Sequence, residues 1–230
     1  MKRAAAFAVL SLASLAASAG RPLTTEDAAT LEDKACQVES WVDSNSTFTT
    51  AWAVPACNFG WGVEWQVGFA RTRQDGVPTE FSQSYTQAKK VIVEPTEGGW
   101  GFGIIGGLTR FPHRPSHRGW DDPYVIAPIT WTPDQPTAIH LNIGWSRDRD
   151  QKIDTTLWGV AGERQLNDRF TLVGEVFGDD RTKPFMRIGG RMSAMKGLDL
   201  DLTYVTRSGG SSADRYVSLG LHWQSVPFLP

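Results

Sequence analysis

Four histidines, two cysteines and one glycine-spaced run are the places in this 230-residue sequence from which chemistry would be built. His140-Leu141-Asn142 has the outline of a His-x-Ser hydrolase motif, but Asn142 stands where the nucleophilic serine is required. His222 and Ser218 share one face of an extended segment with no carboxylate placed to orient the imidazole. His113 and His117, followed by Asp121 and Asp122, have the i, i+4 spacing of a helical metal site, yet Pro115 between them forbids that helix. Gly101-Phe-Gly103-Ile-Ile-Gly106 matches the dinucleotide fingerprint, which needs a helix after it; Gly107 and Pro112 rule that helix out. Cys36 and Cys57 have no third cysteine or histidine near them, so they read as a disulfide rather than a metal site. The sequence therefore predicts no catalytic residues, no metal and no cofactor, and the chain does not read as an enzyme.

The elements that carry these residues are strands. In Phe59 to Ala70 the odd positions Phe59, Trp61, Val63, Trp65, Val67 and Phe69 are apolar, and the even ones are glycine, alanine, Glu64 or Gln66. Successive side chains of a strand point to opposite faces, so the segment has one aromatic face and one small or polar face. The same alternation returns in Ile139, Leu141, Ile143 and Trp145, in Leu198, Leu200, Leu202 and Tyr204, and in Val217, Leu219, Leu221 and Trp223. About twelve strands fit between Cys36 and Gln224, and no amphipathic helix of ordinary length interrupts them.

The chain begins with Lys2 and Arg3, an apolar run from Ala4 to Ala17 and the small residues Ala17-Ser18-Ala19, which is the layout of a cleaved signal peptide over residues 1–19. Loss of Lys2 and Arg3 takes the basic residues from 23 to 21 against 25 acidic ones, a mature charge of −4 that gives no footprint for nucleic acid. Residues 20–35 are polar and lack alternation. They are expected to form an N-terminal periplasmic segment with a turn of helix after Thr25, a partial plug in a lumen being the alternative. Residues 225–230 are expected to be a C-terminal tail.

Connections decide the architecture. Long polar links (75–80, 111–122, 147–152, 178–183, 207–214) alternate with shorter ones. Outer-membrane barrels have an even number of antiparallel strands, short periplasmic turns and long outer loops. The expected fold is thus all-β, a transmembrane antiparallel up-and-down barrel over 36–224 with both termini periplasmic. A soluble barrel or sandwich would turn the apolar face inward. The abundance of aromatics on that face, with Trp100, Trp131, Trp145, Tyr204 and Trp223 near strand ends as girdles, favours the membrane. Trp61, Trp65, Phe69, Ile139, Leu141, Leu200 and Leu202 are then expected to face lipid. Glu64, Lys89, His140, Asn142, Glu163, Glu175, Arg187, Arg191, Asp199 and Asp201 are expected to line the lumen. A three-residue turn at Met195-Lys196-Gly197 places Arg191 opposite Asp201, and the 178–183 loop allows a register with Glu175 opposite Arg187, together a ladder of ion pairs or a charged constriction.

Arg21-Pro22-Leu23-Thr24-Thr25-Glu26-Asp27-Ala28, Cys36-Gln37-Val38-Glu39-Ser40-Trp41 and Gln87-Ala88-Lys89 together resemble a family of proteobacterial outer-membrane barrels labelled as transporters, akin to channel-like proteins found with aromatic-degradation pathways. The resemblance implies passive passage of a small solute. It also implies contact with outer-membrane lipid, with lipopolysaccharide at the outer loops (His113 and His117 among them), and with the barrel-assembly machinery. A non-conducting structural or adhesive barrel is the alternative, and a lipid-acting hydrolase a more distant one. Barrels of this kind finish on an aromatic residue that the assembly machinery reads. Trp223 and Phe228 are the candidates here, and the chain runs past both to Pro230.

Overall fold

A computed structural model describes residues 21–74, 76–112 and 119–229, without the side chains of 77–80. The leader at 1–19, His113, Pro115 and His117 lie outside these residues, so the metal reading at those histidines falls outside them too.

Twelve strands run in chain order: β1 Cys36–Ser44, β2 Phe48–Asn58, β3 Val63–Gln74, β4 Val77–Val93, β5 Trp100–Arg110, β6 Asp122–Asp134, β7 Thr137–Asp148, β8 Ile153–Gln165, β9 Phe170–Asp179, β10 Phe185–Met195, β11 Leu198–Arg207 and β12 Tyr216–Gln224. Each pairs antiparallel with its sequence neighbours, and β12 pairs with β1 to close the barrel. Closure leaves no unpaired edge, which is how an up-and-down sheet satisfies every interior backbone group. An even strand number puts both ends of the barrel chain at one rim, here called the terminal rim. There Cys36 and Cys57 face each other in register and form a disulfide, Cα atoms 4.1 Å apart.

The pleat sorts the side chains as a barrel with an apolar exterior requires. Leu202 is 56% exposed beside Asp201 at 4%, and Trp65 is 49% exposed between buried Glu64 and Gln66. Phe69 and Leu200 also point outward, while Ile139 and Leu141 do so half-buried among their neighbours. Two strand boundaries differ from the alternation. Phe59 to Gly62 is a turn, because Gly60 (φ +98°) and Gly62 (φ +59°) adopt conformations a strand does not use; Trp61 thus projects from the terminal rim rather than from β3. The link expected over 75–80 is largely strand, since β3 and β4 continue pairing, through irregular register, to Gln74 opposite Val77. The fingerprint glycines Gly101, Gly103 and Gly106 lie within β5, a strand and not the start of a helix.

Residues 21–31 lie inside the barrel, and 32–35 lead from them to β1 at the terminal rim. They are not a tail beyond its rim, and no helical turn follows Thr25. The reason is hydrogen bonding: a non-periodic chain cannot join the sheet, but its N–H groups meet a ring of inward acceptors. The C-terminal tail folds back at the terminal rim, where Ser225 N–H donates to Cys36 O and Phe228 N–H to Lys34 O.

Candidate functional site

The N-terminal coil makes a circuit of the lumen. Followed backwards from the rim, Leu31 N–H donates to Glu64 on β3 (3.0 Å), Ala28 N–H to Thr130 on β6 (2.8 Å) and Glu26 N–H to Asn142 on β7 (2.8 Å). Thr24 and Thr25 both donate their N–H groups to the Glu175 carboxylate on β9, and Arg187 on β10 donates to Pro22 O. The coil ends against β11, β12 and β1. Arg21 N–H donates to Glu39, and its guanidinium donates to Asp201 (2.9 Å) and Ser218 (2.8 Å) and lies 4.4 Å from the centre of the Trp41 ring. Two side chains of the coil reach β4, where Lys89 Nζ bonds Asp27 (2.5 Å) and Glu26 (3.2 Å). Arg21, Thr25, Asp27 and Ala28 are all at most 4% exposed. A charge taken out of water to this degree persists only when paired and hydrogen-bonded, which coil and wall achieve for each other.

The expected lumen residues turn inward, but their partners differ from a simple ladder. The register is as expected, Arg191 opposite Asp201 and Arg187 opposite Glu175. Arg187 and Glu175 form an ion pair at 2.8 Å. Asp201, however, is held by Arg21 of the coil, while Arg191 bonds Glu163 (2.5 Å) and donates to Arg21 O. The ladder reading omitted the coil, whose cation reaches Asp201 from inside the lumen. His140 is fully buried, its Nδ1 3.0 Å from Thr130 Oγ1 and its Nε2 3.6 Å from Glu163. Asp199 lies 3.8 Å from His222, whose Nε2 meets Gln37. Ser218 and His222 thus have separate partners, and neither activates the other. Among the described residues no cluster suits a metal.

Toward the far rim the inward face becomes aromatic. Trp41 and Trp52 stack across β1 and β2 (5.3 Å), Phe177 and Phe185 across β9 and β10 (5.6 Å), and Phe48 meets Tyr216 edge-on (5.9 Å). Tyr85 and Tyr124 lie over Gly68 and Gly107, their register partners, where any Cβ would strike the ring within 2.3 Å. A cavity of about 370 Å³ opens among Phe48, Trp52 and Tyr216, and one of about 290 Å³ lies between Phe177, Phe185, Leu157 and the coil residues Thr24 and Thr25. At the terminal rim a cavity of about 360 Å³ is lined by Glu163, Arg191, Asp199 and His222. The inward aromatics and Arg21, Glu26, Asp27 and Glu39 were missing from the expected lumen set. The phase of Phe48, Trp52 and Val54 on β2 was the available signal for the aromatics.

A family model described as uncharacterised conserved protein UCP029691 matches residues 6–223. Comparison with curated proteins returns no significant match. Among solved structures, a KdgM porin aligns with a TM-score of 0.60 at 8% identity, covering 81% of this chain and 98% of its own. The COG4313 outer membrane channel from Pseudomonas putida F1 aligns at 0.58 and 11% identity, with 86% and 97% covered, and a NanC porin at 0.56 and 9%, with 84% and 100% covered. The chain has the fold of outer-membrane porins and channels.

Proposed function

We propose, from the premise that the chain belongs to the UCP029691 family of uncharacterised conserved proteins, that it is an outer-membrane channel for a small solute, with residues 21–31 as its constriction. The terminal rim then faces the periplasm and the apolar exterior faces lipid, with lipopolysaccharide at the outer loops and the barrel-assembly machinery as the partner during insertion. Such barrels pair an outward apolar band with a polar interior, the division seen at Leu202 and Asp201. The observation that carries the reading is the coil itself, hydrogen-bonded across a polar lumen that keeps cavities of about 370 Å³ toward the far rim and about 360 Å³ at the terminal rim.

Planar-bilayer recording tests it. The full chain should give small discrete steps, and Thr24→Pro with Glu26→Ala, which remove a coil N–H and one of the two coil carboxylates at Lys89, should give larger ones. Insertion without steps in both proteins would favour the second reading, a non-conducting barrel. The saturated pairing of the coil with the wall is the observation on that side.

A further inference from the structure

The wall of the inner lumen reads the coil as a protein reads a bound peptide. Backbone N–H groups of Arg21, Thr24, Thr25, Glu26, Ala28 and Leu31 all end on wall side chains. Wall side chains also donate to the carbonyls of Arg21, Pro22, Glu26 and Leu31, from Arg191, Arg187, Asn142 and Asn58. Asn142 contacts the N–H and the carbonyl of Glu26 together, the two-point grip that a neighbouring strand would supply. Three of the acceptors are the buried carboxylates Glu39, Glu64 and Glu175. Glu175 is also paired with Arg187 of the wall, yet all three accept amide N–H groups of a chain that belongs to no strand. Charge-assisted bonds of this kind are about twice as strong as neutral ones.

We propose that the inner lumen is a binding site for extended peptides and that residues 21–31 are its resident ligand. Side-chain selectivity rests on two positions. Asp201, Ser218 and the Trp41 face select an arginine, and Lys89 selects the acidic pair Glu26-Asp27. Leu23, Ala29 and Thr30 are only half-buried beside a cavity of about 40 Å³, so the site tolerates change there. Its ligand class is a short peptide carrying arginine and, five residues on, an acidic pair. The resident segment is tethered through exposed Glu32, Asp33 and Lys34. A short tether sets an effective concentration on the order of millimolar, so a free peptide competes only once the tether is cut. The proposal takes the lumen of the channel as the place where solute sits, and so deepens that reading.

The test uses the full chain with a protease site inserted between Asp33 and Lys34, folded and then cleaved. A synthetic peptide of residues 21–33 is titrated into it, followed by tryptophan fluorescence and calorimetry. The peptide should bind. N-methylation at Thr24, Glu26 and Ala28 should weaken it about 100-fold, the loss of three backbone bonds at about 1 kcal/mol each. Leu23→Ala and Thr30→Ala peptides should stay within about threefold, since neither side chain is gripped. Equal binding of the N-methylated peptide overturns the proposal. So does a cleaved segment that neither leaves nor exchanges with a labelled copy, because it is then a structural part of the barrel. A cleaved barrel that binds peptide but passes no current sinks the channel reading alone; one that conducts but binds no peptide sinks this proposal alone.

Discussion

On β1, Glu39 takes an N–H from the crossing coil, and two residues further along the same face Trp41 stacks on Trp52. On β9, Glu175 takes two coil N–H groups, and Phe177 two residues on stacks against Phe185. The inner part of the lumen is therefore charged and crossed by the coil, and the outer part is aromatic. Buried carboxylates need donors, and the coil supplies N–H groups to Glu39, Glu64 and Glu175. Aromatic rings satisfy one another by stacking, so the outer part needs no coil N–H groups.

That contrast can be broken at graded cost. Lys89→Ala removes the ammonium shared by Glu26 and Asp27, and loss of one partner of a buried ion pair costs about 3–5 kcal/mol. Urea unfolding in detergent should show that loss, and Glu26→Gln with Asp27→Asn in the same chain should recover most of it. Leu141→Arg probes the exterior instead: a cation near the midplane of the lipid face costs about 2–4 kcal/mol and should lower the folded fraction in lipid vesicles. Glu175→Gln keeps the shape of the acceptor and discards its charge. Charged hydrogen bonds contribute about 1.5–3 kcal/mol each, so the coil should loosen, and deuterium exchange at Thr24 and Thr25 should quicken while β9 stays protected. The smallest effect belongs to the outer half, where Phe177→Ala forfeits a stacked pair that contributes about 0.5–1.5 kcal/mol beyond its buried area. If Phe177→Ala destabilised the barrel as much as Lys89→Ala, the outer aromatics would be its core and the contrast would fail.

Much of the barrel was legible because its exterior obeys one rule along every strand. Leu198, Leu200 and Leu202 against Asp199 and Asp201 fix both strand and face. The three-residue turn expected at 195–197 is a two-residue turn at Lys196-Gly197, and an irregularity between Ser193 and Met195 restores the expected register of Arg191 with Asp201. The coil was not legible because it has no period and its partners are remote in sequence. Nothing near Arg21 announces Asp201, Ser218 or Glu39. The inward aromatics were obscured for another reason. An apolar phase implies an outward face only where the interior is polar, and on β2 Phe48, Trp52 and Val54 share the inward face.

The circuit of the coil also orders events in time. Arg21 bonds Asp201 across 180 residues of sequence and Ser218 across 197, near the longest separations this chain offers. Contacts of such separation form late, because the loop between them must first be closed. Arg21, the first described residue, is thus among the last to find its place: β12 must meet β1 before Arg21 has both Ser218 and Glu39 to hold. Until then Glu39, Glu64 and Glu175 lack the coil N–H groups they accept in the finished barrel, and seating of the N-terminal segment joins β11 and β12 to β1 across the junction where the sheet closes.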